Sequence, residues 1–412
     1  MIELKGKYNT AIVYQDEANM EESCLEQIKT IADCEAYRNS KIRIMPDAHS
    51  GLGSCIGFSA TYTDKVIPGT IGVDISCGMR LVKLEGIKEE DIDMKAFDNY
   101  FHTHIPMGRN IHESRKVKFN DILNLKCYRE LKDTSKFERA IGSLGGGNHF
   151  GELDKDTKGN IYFVVHTGSR NMGKQVAEYY QDLADGICNK GLDAYFVEKA
   201  NLIEKYKAEG RKTEIQSALK DLAQKYKESS NKVPKDLAWL EGDHLNDYLH
   251  DMKICQDYAS LNRETICREV CKFFNLDYDH VETFETLHNY IDLDFKIIRK
   301  GAIRALKGEK VIIPVNMRDG SIIGIGKSNP DYNYSAPHGA GRLMSRNQAK
   351  STISLEDFEK SMEGIFTTSV SYDTIDESPF AYKSINSIIP WIKDTVDIVE
   401  VIKPIYNVKA KE

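Results

Sequence analysis

Residues 65–84 read KVIPGTIGVDISCGMRLVKL. Apolar runs of strand character, KVIPGTIGVD and MRLVKL, are broken by glycine and proline, the punctuation of short strands joined by tight loops. Asp74 and Cys77 fall in the break, three residues apart. If that break is a turn, a carboxylate and a thiol face one point.

The same alternation extends outward. KIRIMPD and GSCIGFSATY precede it, IYFVVHTGSR follows the glycine cluster of IGSLGGGNHF, and RALKGEKVIIPVN, GSIIGIGK and VEVIKPIYNVKAKE come late in the chain. From Asn171 to about Cys271 the character changes to helix, with apolar residues at three-to-four spacing among Lys and Glu. The span 195–235 predicts an inserted helical hairpin, a solvated charged pair rather than a binding element. Without repeats or low-complexity linkers, the pattern predicts one α+β domain over residues 1–412, central sheets flanked by helices, with that insertion inside it.

Composition narrows the class. Of 412 residues, 41% are hydrophobic and 29% charged, enough apolar content for a large core. No window approaches the run of about 18 apolar residues that a membrane helix needs, and MIELKGKYNTAIVY has no secretory core. The nine cysteines are odd in number and scattered, which points to a reducing, cytoplasmic setting and to catalytic or metal-bound rather than bridged thiols. A formal net charge of −7 gives no global basic field, so an RNA partner would require local positive charge.

Five stretches place possible ligands beside glycine or at an element end: MPDAHSGLG (Asp47, His49), GVDISCGMR (Asp74, Cys77), GGGNHFGEL (Asn148, His149, Glu152), VVHTGSRNMG (His166, Arg170) and ETLHNYID (His288, Asn289). Glycine lets backbone approach a ligand closely. A lone buried cysteine is most often a small hydrophobe, and His166 alone fits a hydrogen-bonded core histidine equally well. Taken jointly, Asp74, Cys77, His149, His166 and His288 supply one carboxylate, one thiolate and three imidazoles, enough for one closed site or two metals sharing a ligand. The thiolate favours zinc, while the other donors also accept manganese or iron. The six histidines without glycine context are read as ordinary surface or core residues.

GSLGGGNHF offers consecutive N–H groups for an anion, and Arg170 follows HTGSR. Neither stretch is a Walker loop or a dinucleotide fingerprint. YSAPHGAGRLMSR places His338 before Gly339 and Gly341, with Arg342 and Arg346 four residues apart. A helix after Gly341 would put both arginines on one face, suited to phosphates. Local chemistry leaves His338 open as ligand, acid/base or nucleophile.

The ordered set MPDAHSGLGSCIG, IPGTIGVDISCGMR, GGGNHFGEL, VHTGSRNMG, LHNY and SAPHGAGRLMSR resembles the RtcB family of RNA-splicing ligases over about Met45 to Lys409. The resemblance implies a GTP- and Mn2+-dependent enzyme joining RNA 3′-phosphate or 2′,3′-cyclic phosphate ends to 5′-hydroxyl ends, in tRNA splicing or RNA repair. It implies two manganese ions on Asp74, Cys77, His149, His166 and His288, with Cys77 bridging, and a covalent GMP on His338. Nucleotide contacts are implied for Asn148, Glu152, Arg170, Asn316, Gly339, Gly341, Arg342, Tyr382 and Lys409. Asp47, Arg170, Arg342 and Arg346 are implied at the RNA or its phosphates, and an accessory activating protein is a possible partner. IPVNMRDGSI departs from the family's small-residue stretch by carrying Asn316 and Arg318, which bears on nucleotide selectivity. Two other readings stand beside this one: an enzyme that processes RNA 3′-phosphate ends without efficient joining, and a metal-stabilised RNA-binding protein.

Overall fold

The computed structural model describes residues 1–228 and 233–410. Two sheets carry it. The first has six strands in the order Ile2–Lys5, Thr10–Val13, Ile42–His49, Ile56–Thr61, Ile297–Lys300 and Asn289–Asp292. Its one parallel pairing, Thr10–Val13 on Ile42–His49, is made possible by the crossover helix Glu22–Ala32.

The second sheet has eight strands. Seven run in the order Thr283–Leu287, Gly78–Leu84, Ile161–Thr167, Phe150–Lys155, Val396–Lys409, Gly320–Gly326 and Lys310–Asn316, and Phe366–Thr367 adds a short parallel rung on Val396–Lys409. The period of two decides its faces. Val82 and Leu84, with Phe163 and Val165, turn to a core shared with the helices Met94–His104 and Gly242–Phe273. Met79 and Leu81 turn the other way, onto Val164, Ile312, Ile323 and Ile402. The sheet curls until its ends meet, where Ile312 N–H donates to Thr286 Oγ1 at 3.2 Å. Burying a side chain such as Phe163, fully enclosed, contributes about 2–3 kcal/mol, and several such residues fix the curl.

The mixed α+β architecture expected from the alternation is the one observed, with local corrections. Of KVIPGTIGVD only Lys65–Val66 is strand. Pro68, whose fixed φ suits a helical first turn, opens the 3-10 turn Pro68–Thr70 instead. The helical stretch resolves into Arg170–Lys190, Leu192–Ala208, Ile215–Glu228 and the 32-residue Gly242–Phe273. Leu192–Ala208 and Ile215–Glu228 pack on each other, with the Tyr195 and Tyr226 rings 5.7 Å apart. Of the span 195–235, residues 229–232 lie outside the described residues.

The two sheets meet at one residue. Thr283–Leu287 belongs to the second sheet and Asn289–Asp292 to the first, so His288 is the step between them.

Candidate functional site

Around His288 the glycine-bordered loops converge. Cys77 N–H donates to Asp74 C=O at 3.2 Å, closing the turn on which the three-residue spacing depends, and His288 N–H donates to Cys77 C=O at 3.0 Å. Gly168 is required here by close approach, since a Cβ at that position would stand 2.4 Å from Asp74 Oδ1. Gly145, at φ +93°, likewise leaves room for His149 Nδ1, which a Cβ would meet at 2.4 Å.

The donor atoms form two trios, Asp74–Cys77–His149 and Cys77–His166–His288, each within 4.8 Å and sharing the Cys77 sulfur. Cys77 Sγ lies 3.0 Å from His166 Nε2 and 3.4 Å from His149 Nε2. His166 Nε2 is 3.2 Å from His288 Nε2, and His149 Nε2 is 3.1 Å from Asp74 Oδ2. Donors held about 2.0–2.3 Å from one ion stand about 3–3.7 Å apart, so these separations fit cation binding. His166 Nδ1 faces the Asn148 carbonyl at 3.1 Å. A carbonyl only accepts, so Nδ1 carries the proton and Nε2 offers its lone pair.

Electrostatics hold two of the imidazoles neutral and the carboxyl ionised. Burial, reinforced by His149, lowers His166 to about 3, and burial with His166 and His338 lowers His288 well below the ordinary histidine range. Burial raises Asp74 but the imidazole of His149 outweighs it, holding the carboxyl down to about 2. Burial and the Asp74 charge push the Cys77 thiol up, a balance that a bound cation reverses.

Beside this cluster opens a cavity of about 460 Å³. It is lined by Asn148, Glu152, His166, His288, Asn316, His338, Gly339, Gly341, Arg342, Arg346, Tyr382 and Lys409 among others. His338 follows the strand Ser335–Pro337, and its ring centroid stands 5.0 Å from that of His288. Asp47 Oδ2 accepts from His338 Nδ1 at 2.7 Å and from the His338 and Gly339 N–H groups at 3.1 and 3.3 Å. That arrangement engages Nδ1 with Asp47 and leaves Nε2 as the ring nitrogen away from the carboxylate. Gly341, at φ +74°, lets the loop cross Asp47, whose carbonyl oxygen a Cβ would meet at 2.7 Å.

Several residues stand elsewhere than the motifs suggest. Asp47 is buried and turned to His338, which suits orienting the ring and not facing a phosphate. Arg170 does not line the cavity; its guanidinium donates to Ser143 Oγ and the Gly108 carbonyl at 3.0 and 2.7 Å. Arg342 and Arg346 do not share a helix, because the helix begins only at Arg346, capped by Ser345. They converge by another route: Arg342 reaches Glu377 at 3.4 Å, and Arg346 reaches Asp376 and Glu377 at 2.7 and 3.1 Å. The Asn316 amide is engaged in its hairpin, accepting from the Arg318 and Asp319 N–H groups at 3.0 and 2.9 Å.

Sequence reasoning missed Glu377 and Arg263. Glu377 joins Arg342, Arg346, Tyr382 and Lys409, with Lys409 Nζ at 3.1 Å; burial raises it, but Lys409 and Arg346 outweigh that and hold it at about 2. Glu152, hydrogen-bonded to Asn407 at 2.6 Å, is pushed up to about 7 by burial that Lys409 only partly offsets. Arg263, fully buried on the long helix, donates to the Ser76 and Thr167 carbonyls at 2.8 and 2.7 Å and to Glu285 at 3.0 Å. It thereby holds the turns that carry Cys77 and His166. Its neighbour Asn262, whose side chain bonds Gly142, Ser143 and Gly168, is the one hint in the sequence, since asparagine is disfavoured inside helices without such a duty.

Comparison with known proteins places this geometry. Residues 27–410 match the family model described as tRNA-splicing ligase RtcB. The chain is similar to the RNA-splicing ligase RtcB of Escherichia coli (strain K12), at 29% identity over 405 residues covering 90% of each chain. It is also similar to the tRNA-splicing ligases RtcB of Aeropyrum pernix, 25% identical over 92% of this chain and 90% of that one, and Thermococcus kodakarensis, 25% identical over 92% and 89%. Among the described residues no helix is long and apolar enough to cross a membrane.

Proposed function

This chain belongs to the RtcB family of RNA ligases, and on that premise we propose that it joins RNA 3′-phosphate or 2′,3′-cyclic phosphate ends to 5′-hydroxyl ends with GTP, through a covalent GMP on His338. The observation that carries the proposal is the Asp47–His338 contact of 2.7 Å, which holds the ring with Nε2 free toward a cavity bordered by the donor trios. An imidazole whose Nδ1 is held by a carboxylate presents Nε2 as a nucleophile toward phosphorus.

Asp74, Cys77, His149, His166 and His288 would hold two Mn2+ ions, with Cys77 common to both. When bound, such ions neutralise charge on phosphoryl oxygens and polarise them. The chain's own groups do the rest. His338 Nε2 attacks the α-phosphorus of GTP, the Pα–O bond to the β-phosphate breaks and pyrophosphate leaves with the electron pair, and Asp47 stabilises the imidazolium-like ring that results, as an orienting carboxylate does in a nucleophile–base pair. Arg342 and Arg346 sit at the cavity wall to meet phosphate charge. Glu152 and Lys409, also on the cavity wall, suit the polar edge of a guanine. A cyclic end is first opened by water to a 3′-phosphate and a 2′-hydroxyl; a 3′-phosphate oxygen then takes the guanylyl group as the His338 N–P bond breaks, and the 5′-hydroxyl displaces GMP.

Mass spectrometry after incubation with GTP and Mn2+ tests this. The parent gains one GMP, removed by hydroxylamine or acid, and His338→Ala gains none. Retention of GMP by that variant, or its absence from the parent, overturns the proposal. A purely end-processing activity would yield no sealed product from a cyclic-phosphate strand and a 5′-hydroxyl strand.

A further inference from the structure

His49 belongs to no donor trio and has no part in the steps above, yet it lies at the heart of the site. It ends the strand Ile42–His49. Between Ile44 and His49 the register with the neighbouring strand slips, from Ile44 opposite Phe58 to His49 opposite Ile56. The extra residues bulge off the ladder and re-aim Asp47 and His49 together. Asp47 thus serves both histidines: its carboxylate holds His338, and its backbone carbonyl accepts from His49 Nδ1 at 3.0 Å. Because that carbonyl can only accept, His49 Nε2 is the nitrogen with the free lone pair.

A second cavity, of about 700 Å³, adjoins the first and shares His49, Glu21, Arg342 and Tyr382 with it. Its wall combines apolar surface with charge: Leu343 and Phe380, 59% and 45% exposed, stand with Trp391, Lys383 and the Arg318–Asp319 ion pair. Flat apolar faces beside cations suit unpaired nucleotides, each stacked base contributing about 1–3 kcal/mol.

We propose that the 5′-hydroxyl strand lies in this second cavity and that His49 is the general base of the joining step. The inference rests on the reading of the preceding subsection. His49 Nε2 takes the proton as the O5′–H bond breaks, the O5′–P bond to the activated 3′-phosphate forms, and the P–O bond to GMP breaks. GMP leaves with the electron pair, and His49 returns its proton to solvent. Burial lowers His49 and the nearby His338 adds to this, while Asp47 and Glu21, which begins the turn into the helix Glu22–Ala32, act the other way. The ring is therefore neutral, and ready to accept, at physiological pH.

Single-turnover sealing of RNA with a preformed 3′-pyrophosphoryl-guanosine end is compared with GMP loading of the protein, for the parent, His49→Gln and His49→Asn, between about pH 5 and 9. The parent's sealing falls about tenfold per pH unit on the acid side, and the variants lose that limb. Their sealing drops at least about 10²-fold more than their GMP loading. A parent profile flat on the acid side, a variant that seals within tenfold of the parent, or equal losses in both steps overturns the role of His49. A parent that never loads GMP overturns the proposed function itself, and this inference with it.

Discussion

The donor cluster and the His338 cavity share a wall but are built on opposite principles. The cluster is backed by groups outside the cavity: Arg263 clamps the turns behind Cys77 and His166, and Glu285 pairs with Arg263 and Arg80. The cavity instead keeps its charges at the surface it offers, with Glu377 gathering Arg342, Arg346 and Lys409. One region is fixed from behind; the other holds cations around a buried carboxylate at the cavity wall. Geometric accuracy and charge availability are thereby assigned to different parts of one site.

The largest blow to this division is Cys77→Ala, which removes the donor common to both trios. Elemental analysis should show ion content falling from two per chain to one or fewer, and sealing should drop by more than about 10³-fold. An unchanged ion content would mean that the sulfur does not ligate. Arg263→Gln comes next. It leaves Glu285, held at about 2 by Arg263 and Arg80 against its burial, without one buried partner, and a loss of about 3–5 kcal/mol in denaturant unfolding is expected. If activity vanished with stability intact, Arg263 would belong to the cavity's chemistry and the contrast would fail.

Glu377→Gln sharpens the other side. The native carboxyl is held at about 2, below its unfolded value, so its contribution is present above about pH 4.5 and is lost as pH falls toward 2. At neutral pH the parent should exceed the variant by roughly 3 kcal/mol, a gap that acid-titrated unfolding should find closing between about pH 5 and pH 2. A constant gap would mean that the carboxyl is not charge-paired. The smallest effect is expected from replacing residues 192–232 with a short flexible linker, since Asn189 Nδ2 already meets the Val233 carbonyl at 2.7 Å. GMP loading should stay within about threefold; a larger loss would tie the helix pair to the site.

What the sequence disclosed follows the same line. Ligands in glycine-bordered loops were legible because the loop chemistry is local: Asp74 and Cys77 need only their own turn. The partners of the cavity arginines were not. Glu377 sits in YDTIDESPF, where nothing local marks it, and it matters only because folding brings Lys409 and Arg346 to it. The arginine spacing misled for a related reason. Four residues apart suggests a helix, but Ser345 caps the helix one residue before Arg346 and leaves Arg342 in a bridge to Tyr382. Arg263 lies on the long helix Gly242–Phe273 among other charged residues, and only folding buries it behind Cys77 and His166.

The strand Val396–Lys409 lies inside the second sheet, between Phe150–Lys155 and Gly320–Gly326. During translation its neighbours leave the ribosome long before it does. The sheet must wait with an open slot until that strand inserts, a long-range closure of the kind that slows folding and exposes edges meanwhile. Because the same strand delivers Lys409 to the cavity wall and Asn407 to Glu152, the nascent chain stays unable to complete the cavity until synthesis has passed Lys409.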